Sequence, residues 1–114
     1  MGKRERERGK NYERELARYF TSEGYECHRS AQYCGNSGEA ADVVGLPGIH
    51  IEAKRQEALR LQDWIDQAER DAKEAGKGDK PVVIFRRNNR PSYVVMRLED
   101  WMELYREWEA GRGP

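Results

Sequence analysis

Between Ala41 and Lys54 the chain reads Ala-Asp-Val-Val-Gly-Leu-Pro-Gly-Ile-His-Ile-Glu-Ala-Lys. Two runs rich in Val and Ile flank a Pro-Gly pair, the pattern of two strands joined by a tight turn. Asp42, Glu52 and Lys54 interrupt these otherwise apolar runs. Charges in buried strand positions are costly unless they are paired or bound to a metal. The segment must therefore fold so that its charges meet one another or a ligand. Two carboxylates and a lysine at one spot can hold a hard divalent cation and a phosphate together, which points to metal-dependent phosphodiester cleavage.

Side-chain alternation sets a condition on that meeting. Glu52 and Lys54 lie two apart, so they share one face of a strand. If Pro47-Gly48 were a plain two-residue hairpin loop, Leu46 would pair with Ile49 and Asp42 would fall opposite Ala53, facing away from Glu52. A three-residue loop or a bulge restores the parity and sets Asp42 opposite Glu52. The site thus requires an irregular turn, a bulge or a register break at Asp42.

Periodicity extends the reading to a chain order α-β-β-β-α-β-β-α. Tyr12, Leu16, Tyr19 and Phe20 mark a helix from about Lys10 to Glu23 that stops at Gly24. Tyr25 to Ala31 reads as a first strand, and Asp42 to Leu46 and Ile49 to Ala53 as the next two. Leu61, Trp64, Ile65, Ala68 and Ala72 define a second helix ending near Gly76. Pro81 to Phe85 is a continuous apolar run, expected as a central strand covered on both faces. Tyr93 to Met96 follows as a strand, and Leu98, Trp101, Leu104, Tyr105 and Trp108 form a last amphipathic helix. The fold class is α/β, a mixed sheet flanked by helices, with a parallel crossover through the second helix. We divide the chain into a flexible basic arm over 1–9, one domain over 10–110 and a tail over 111–114.

Composition narrows the partners. The chain has 114 residues, enough for one core, and apolar and charged residues each make up 37%. The formal net charge is zero, but Lys3, Arg4, Arg6, Arg8 and Lys10 crowd the N-terminus while acids gather near the C-terminus. Lys3 and Arg4 in that arm are candidates to grip phosphates, a contact that adds salt dependence without reading sequence. Cys27 and Cys34 make no disulfide framework, and two Cys and two His scattered along the chain make no zinc set. His28 and His50 read as structural. No apolar run reaches the length of a membrane span, no apolar segment follows the charged N-terminus, and we read a soluble, cytoplasmic protein.

Glu13 is a fourth acid to consider. On the first helix it lies on the side of Leu16, Ala17 and Phe20, at the rim of the buried face, from which a carboxylate can reach over a sheet. Glu13 in Asn-Tyr-Glu-Arg-Glu-Leu-Ala, Asp42 in Ala-Ala-Asp-Val-Val-Gly, and Glu52-Ala-Lys54 together resemble the PD-(D/E)XK nuclease superfamily, restriction-endonuclease-like in its core. The likeness is to archaeal-type Holliday-junction resolvases and their small phage relatives, and covers roughly residues 9 to 100 in element order. Ala41 stands where the superfamily name has proline, a position on which no chemistry depends.

The resemblance implies that Asp42, Glu52 and the carbonyl of Ala53 bind Mg2+ or Mn2+, with Glu13 completing the shell directly or through water. It implies that Lys54 positions or activates the attacking water or acts as a fixed cation. Gln67, on the second helix, would orient substrate or Lys54, with Gln62 as the competing choice. Arg29, Ser30, Asn36 and Ser37, in or beside the loop before Asp42, would lie near the scissile phosphate. The implied activity is that of a DNA endonuclease acting on branched DNA as a homodimer, in a bacterial or phage-infected cell. The alternatives are a flap, nick or non-specific nuclease of the same fold, and an inactive nucleic-acid-binding module. Against the last, Glu13, Asp42, Glu52 and Lys54 are all present. Trp101, Tyr105 and Trp108 are expected in the core or at a subunit interface.

Overall fold

A computed structural model of the chain describes residues 2–30 and 41–113. The elements are α1 (Lys3–Ser22), β1 (His28–Arg29), β2 (Val43–Val44), β3 (Ile49–Arg55), α2 (Leu61–Ala75), β4 (Lys80–Arg86), β5 (Tyr93–Met96) and α3 (Leu98–Arg112). This is the α-β-β-β-α-β-β-α order expected from periodicity. The strands form one sheet in the order β1-β2-β3-β4-β5. β3 and β4 pair in parallel through the α2 crossover, and the other neighbours are antiparallel.

The two faces of the sheet carry separate cores. On one face Tyr12, Leu16 and Ala17 of α1 pack on Val43, Ile51, Val82 and Ile84. On the other, Trp64 and Ala68 of α2 cover Val83 and Phe85, with the Trp64 and Phe85 rings 5.8 Å apart. β4 thus sends alternate residues into both cores, which explains its unbroken apolar run. Burial of each of the larger aliphatic side chains and of Phe85 contributes about 1.5–3 kcal/mol. α2 ends where Gly76 adopts a left-handed conformation, φ 69°, and its N–H caps the carbonyls of Ala72 and Lys73.

Several boundaries differ from expectation. α1 begins at Lys3, so residues 3–9, expected as a flexible arm, are its first turns. Lys, Arg and Glu are good helix formers, and Lys3/Glu7 sits at the supportive four-residue spacing. Among the described residues β1 spans two residues rather than the run from Tyr25, and β2 two rather than five. α3 continues through Gly111 to Arg112.

α3 has no buried residue. Trp101 is 48% and Trp108 57% exposed, so of the two places expected for this aromatic face, core or subunit interface, it does not occupy the core. The face is real: Trp101 and Tyr105 stack at 5.5 Å, and Tyr105 and Trp108 lie 5.6 Å apart. Helical spacing reports that side chains share a face, not what covers it. Among the described residues no helix is long and apolar enough to cross a membrane.

The β2–β3 connection places the site. Val43 pairs with Ile51, which leaves Leu46, Pro47 and Gly48 as the loop, one residue longer than a plain Pro-Gly turn. The chain passes so close to β1 here that a Cβ on Gly45, at φ 115°, would collide with the carbonyl oxygen of Glu26 and with Cys27 Cα. Gly45→Ala combines this collision with an unfavourable φ, and is expected to cost about 3 kcal/mol or more. A melting temperature within about 3 °C of the parent's would refute that packing.

Candidate active site

The register break sits at Asp42. Its backbone N–H donates to the Ile51 carbonyl at 2.8 Å, although Ile51 already faces Val43, and its carbonyl accepts the N–H of Ser30 at 3.0 Å. Two successive residues thus share one partner, which re-aims the Asp42 side chain. Its carboxylate Oδ2 takes the Ala53 N–H at 2.8 Å.

Glu52 projects from β3 toward α2 and is only 2% exposed. The His50 ring meets its Oε2 at 3.0 Å, and the Gln67 amide donates to its Oε1 at 3.4 Å. The Gln67 carbonyl accepts from Lys54 Nζ at 3.0 Å. Lys54, Gln67, Glu52 and His50 therefore form one hydrogen-bonded line between strand and helix. Gln62, the competing glutamine, is exposed and bonds Asp66 on its own helix. Glu13 reaches the site from α1, its Oε1 held by Arg29 Nε at 2.6 Å.

Electrostatics join the three acids. Burial raises the Glu52 pKa to about 7; the bond from His50 opposes this, and the charges of Asp42 and Asp71 add to it. Burial also pushes Glu13 upward, reinforced by the charge of Asp42 and opposed by Arg29. Asp42 is thus near enough to both acids to disfavour their ionisation. A divalent cation removes that repulsion, and an all-oxygen carboxylate set suits Mg2+ or Mn2+. Among the described residues, His50, Glu52 and Asp71 also bring three ligand atoms within 4.8 Å of one another.

Of the other expected positions, Ser30 adjoins Asp42 through its backbone, whereas Lys3 and Arg4 lie apart. Ser30 is buried, and its Oγ meets no hydrogen-bond partner among the described residues. Asn36 and Ser37 lie outside the described residues. Lys3 and Arg4 line a cleft of about 700 Å3 with Arg8, Arg55 and Arg86 and with the acids Glu7 and Glu15, the latter paired with Arg86. Arg55 follows Lys54 on β3 and pairs with Arg86 on β4, so the cleft lies on the α1 face of the sheet, opposite the face from which Lys54 and Glu52 meet α2. Arg55, Asp71 and the contact of His50 were not among the expected site features. Two signals were available: His50 lies one strand period before Glu52, and Asp71 one helical turn after Gln67.

Residues 4–112 match the family model described as "Phage putative PDDEXK endonuclease". The chain belongs to this PD-(D/E)XK endonuclease family. It is a nuclease of that type, with DNA as the substrate class and a hydrolytic reaction. Among solved structures, it is similar to Archaeoglobus fulgidus Hjc, a Holliday junction resolvase from an archaeal hyperthermophile. That likeness has a TM-score of 0.58 and 22% identity over 75% of this chain and 73% of the other, and it establishes the restriction-endonuclease-like fold. No curated protein sequence matches the chain.

Proposed function

We propose that this nuclease is a Mg2+- or Mn2+-dependent DNA endonuclease that cuts branched DNA in the manner of a Holliday junction resolvase. The observation that carries the chemistry is the line Lys54–Gln67–Glu52, with the Asp42 carboxylate on the N–H of Ala53 between Glu52 and Lys54 in the chain. In this reading Asp42, Glu52 and the Ala53 carbonyl hold the ion, and Glu13 completes its shell. When bound, the ion supplies water activation at neutral pH and offsets charge on the phosphate. Lys54 holds the attacking water and meets negative charge growing at phosphorus. Gln67 fixes the Lys54 ammonium and one oxygen of Glu52. Arg29 and Ser30 border the scissile phosphate, while Lys3 and Arg4 hold a DNA arm along the cleft. Such a protein acts in the cytoplasm of a bacterial or phage-infected cell.

Junction resolution needs two nicks related by symmetry, hence a homodimer with two sites. The exposed Trp101, Leu104 and Trp108 of α3 support a second copy as partner. Sedimentation is expected to give a dimer, and W101E/W108E a folded monomer. A wild-type monomer at assay concentration contradicts this assembly.

The deciding assay compares a four-way junction with linear duplex, flap and single-stranded DNA in Mg2+ or Mn2+, with EDTA and Glu52→Ala as controls. Paired symmetric nicks in the junction alone, lost in both controls, support the proposal. Cutting of every substrate favours a flap, nick or non-specific nuclease. A folded protein that cuts nothing is a binding module.

A further inference from the structure

His50 has no part in the chemistry above, yet it occupies an expensive place. It is 3% exposed, on the β3 face turned toward α2, the face on which Trp64, Ala68, Val83 and Phe85 form an apolar core. Burying an imidazole beside such a core is unfavourable unless its ring nitrogens are bonded. Its ring bonds Glu52 Oε2 at 3.0 Å, whereas the Gln67 contact on the other oxygen is long at 3.4 Å. Asp71 on α2 closes the group, its carboxylate lying within 4.8 Å of both partners. An apolar residue at position 50 would fill the space at lower cost but leave Glu52 held by Gln67 alone.

We infer that His50 is a positioning residue that fixes the Glu52 carboxylate for the metal and so sets how tightly the site holds its ion. The inference rests on the metal-dependent reading above. Hydrogen-bond partners behind a ligating carboxylate typically change metal affinity 10- to 100-fold when removed. The geometry also predicts which replacement works. A Gln side chain places its amide N–H2 about where His Nε2 lies, whereas Asn is too short to reach Glu52.

The test is calorimetric titration of metal-free protein with Mn2+ at fixed pH, for wild type and for His50→Leu, His50→Gln and His50→Asn, with circular dichroism to confirm folding. His50→Leu and His50→Asn are expected to weaken Mn2+ binding about 10- to 100-fold, and His50→Gln to stay within about threefold of wild type. The Mn2+ concentration for half-maximal cleavage should move by the same factors. If the Leu variant does not fold, the two amides carry the comparison, since only the longer one reaches Glu52. Equal affinity in all variants overturns the role of His50 while leaving the metal site standing. A Gln variant as weak as the Asn variant also overturns it, since donation to Glu52 is then not what matters. Wild type that binds no Mn2+ overturns the metal-dependent reading itself and this inference with it.

Discussion

Glu52→Gln is expected to lower cleavage about a thousandfold and, at pH 8 without metal, to make the protein more stable. Both effects come from one carboxylate placed where its charge is unfavourable. Glu52 is buried beside His50 with the charges of Asp42 and Asp71 nearby, and its pKa rises to about 7 from an ordinary 4.5. Between those pH values the folded chain holds a proton that the unfolded chain has released. Stability of the metal-free protein therefore falls as pH rises through this window and levels off above it. A shift of this size corresponds to about 3 kcal/mol. Gln has the same shape and no charge: one end can accept from Gln67 while the other faces His50. Its advantage should be absent near pH 4, where Glu52 is protonated in both states, and fully developed at pH 8. Thermal melts in EDTA at the two pH values read this directly, and a difference of about 5 °C or more at pH 8 is expected. A variant less stable than wild type at pH 8 would mean that the buried charge is already compensated.

The same linkage gives metal binding its sign. A proton and a cation compete for Glu52, so Mn2+ should raise the melting temperature of wild type more at pH 8 than at pH 6. At 100 times its dissociation constant an ion stabilises by about 2.7 kcal/mol. In Glu52→Gln this dependence should vanish. The site is thus destabilising until it is filled, a cost carried by the two cores on either side of the sheet.

The legible part of this site was the part that breaks local rules. Asp42, Glu52 and Lys54 stand out because charges seldom occur in such runs, and strand parity then required an irregular turn, a bulge or a register break; the structure has a three-residue loop of Leu46, Pro47 and Gly48 and a break at Asp42. Gln67 was legible as a polar residue between Trp64 and Ala68 on the buried side of α2. His50 was not, because a lone buried histidine is ordinarily structural and its use depends on a contact across one strand period. The start of α1 was hidden for a different reason. Apolar periodicity marks only turns that cover a core, and residues 3–9 cover none, although their charged side chains favour a helix. β1 and β2 were read too long because propensity describes a residue, whereas ladder length depends on a partner elsewhere in the chain.

Lys54 and Gln67 provide the second large effect, and their coupling is more telling than either loss alone. Lys54→Met removes the ammonium that meets charge at the phosphate, and is expected to cost about 100- to 1,000-fold in cleavage rate. Mn2+ affinity should not fall, because a positive charge has left the neighbourhood of Glu52. Lys54→Arg should not rescue, since a planar guanidinium cannot occupy the point held by Gln67 Oε1 at 3.0 Å. Gln67→Leu should lose about 10- to 100-fold, by freeing the lysine and loosening Glu52. If Gln67 acts through Lys54, the double variant is barely slower than Lys54→Met alone, because nothing is left for the glutamine to position. If the losses multiply instead, Gln67 acts independently of the lysine, on the substrate or through Glu52. Substrate KM separates those two: it rises in Gln67→Leu only if the amide touches DNA, and stays constant if the glutamine serves only to hold Glu52.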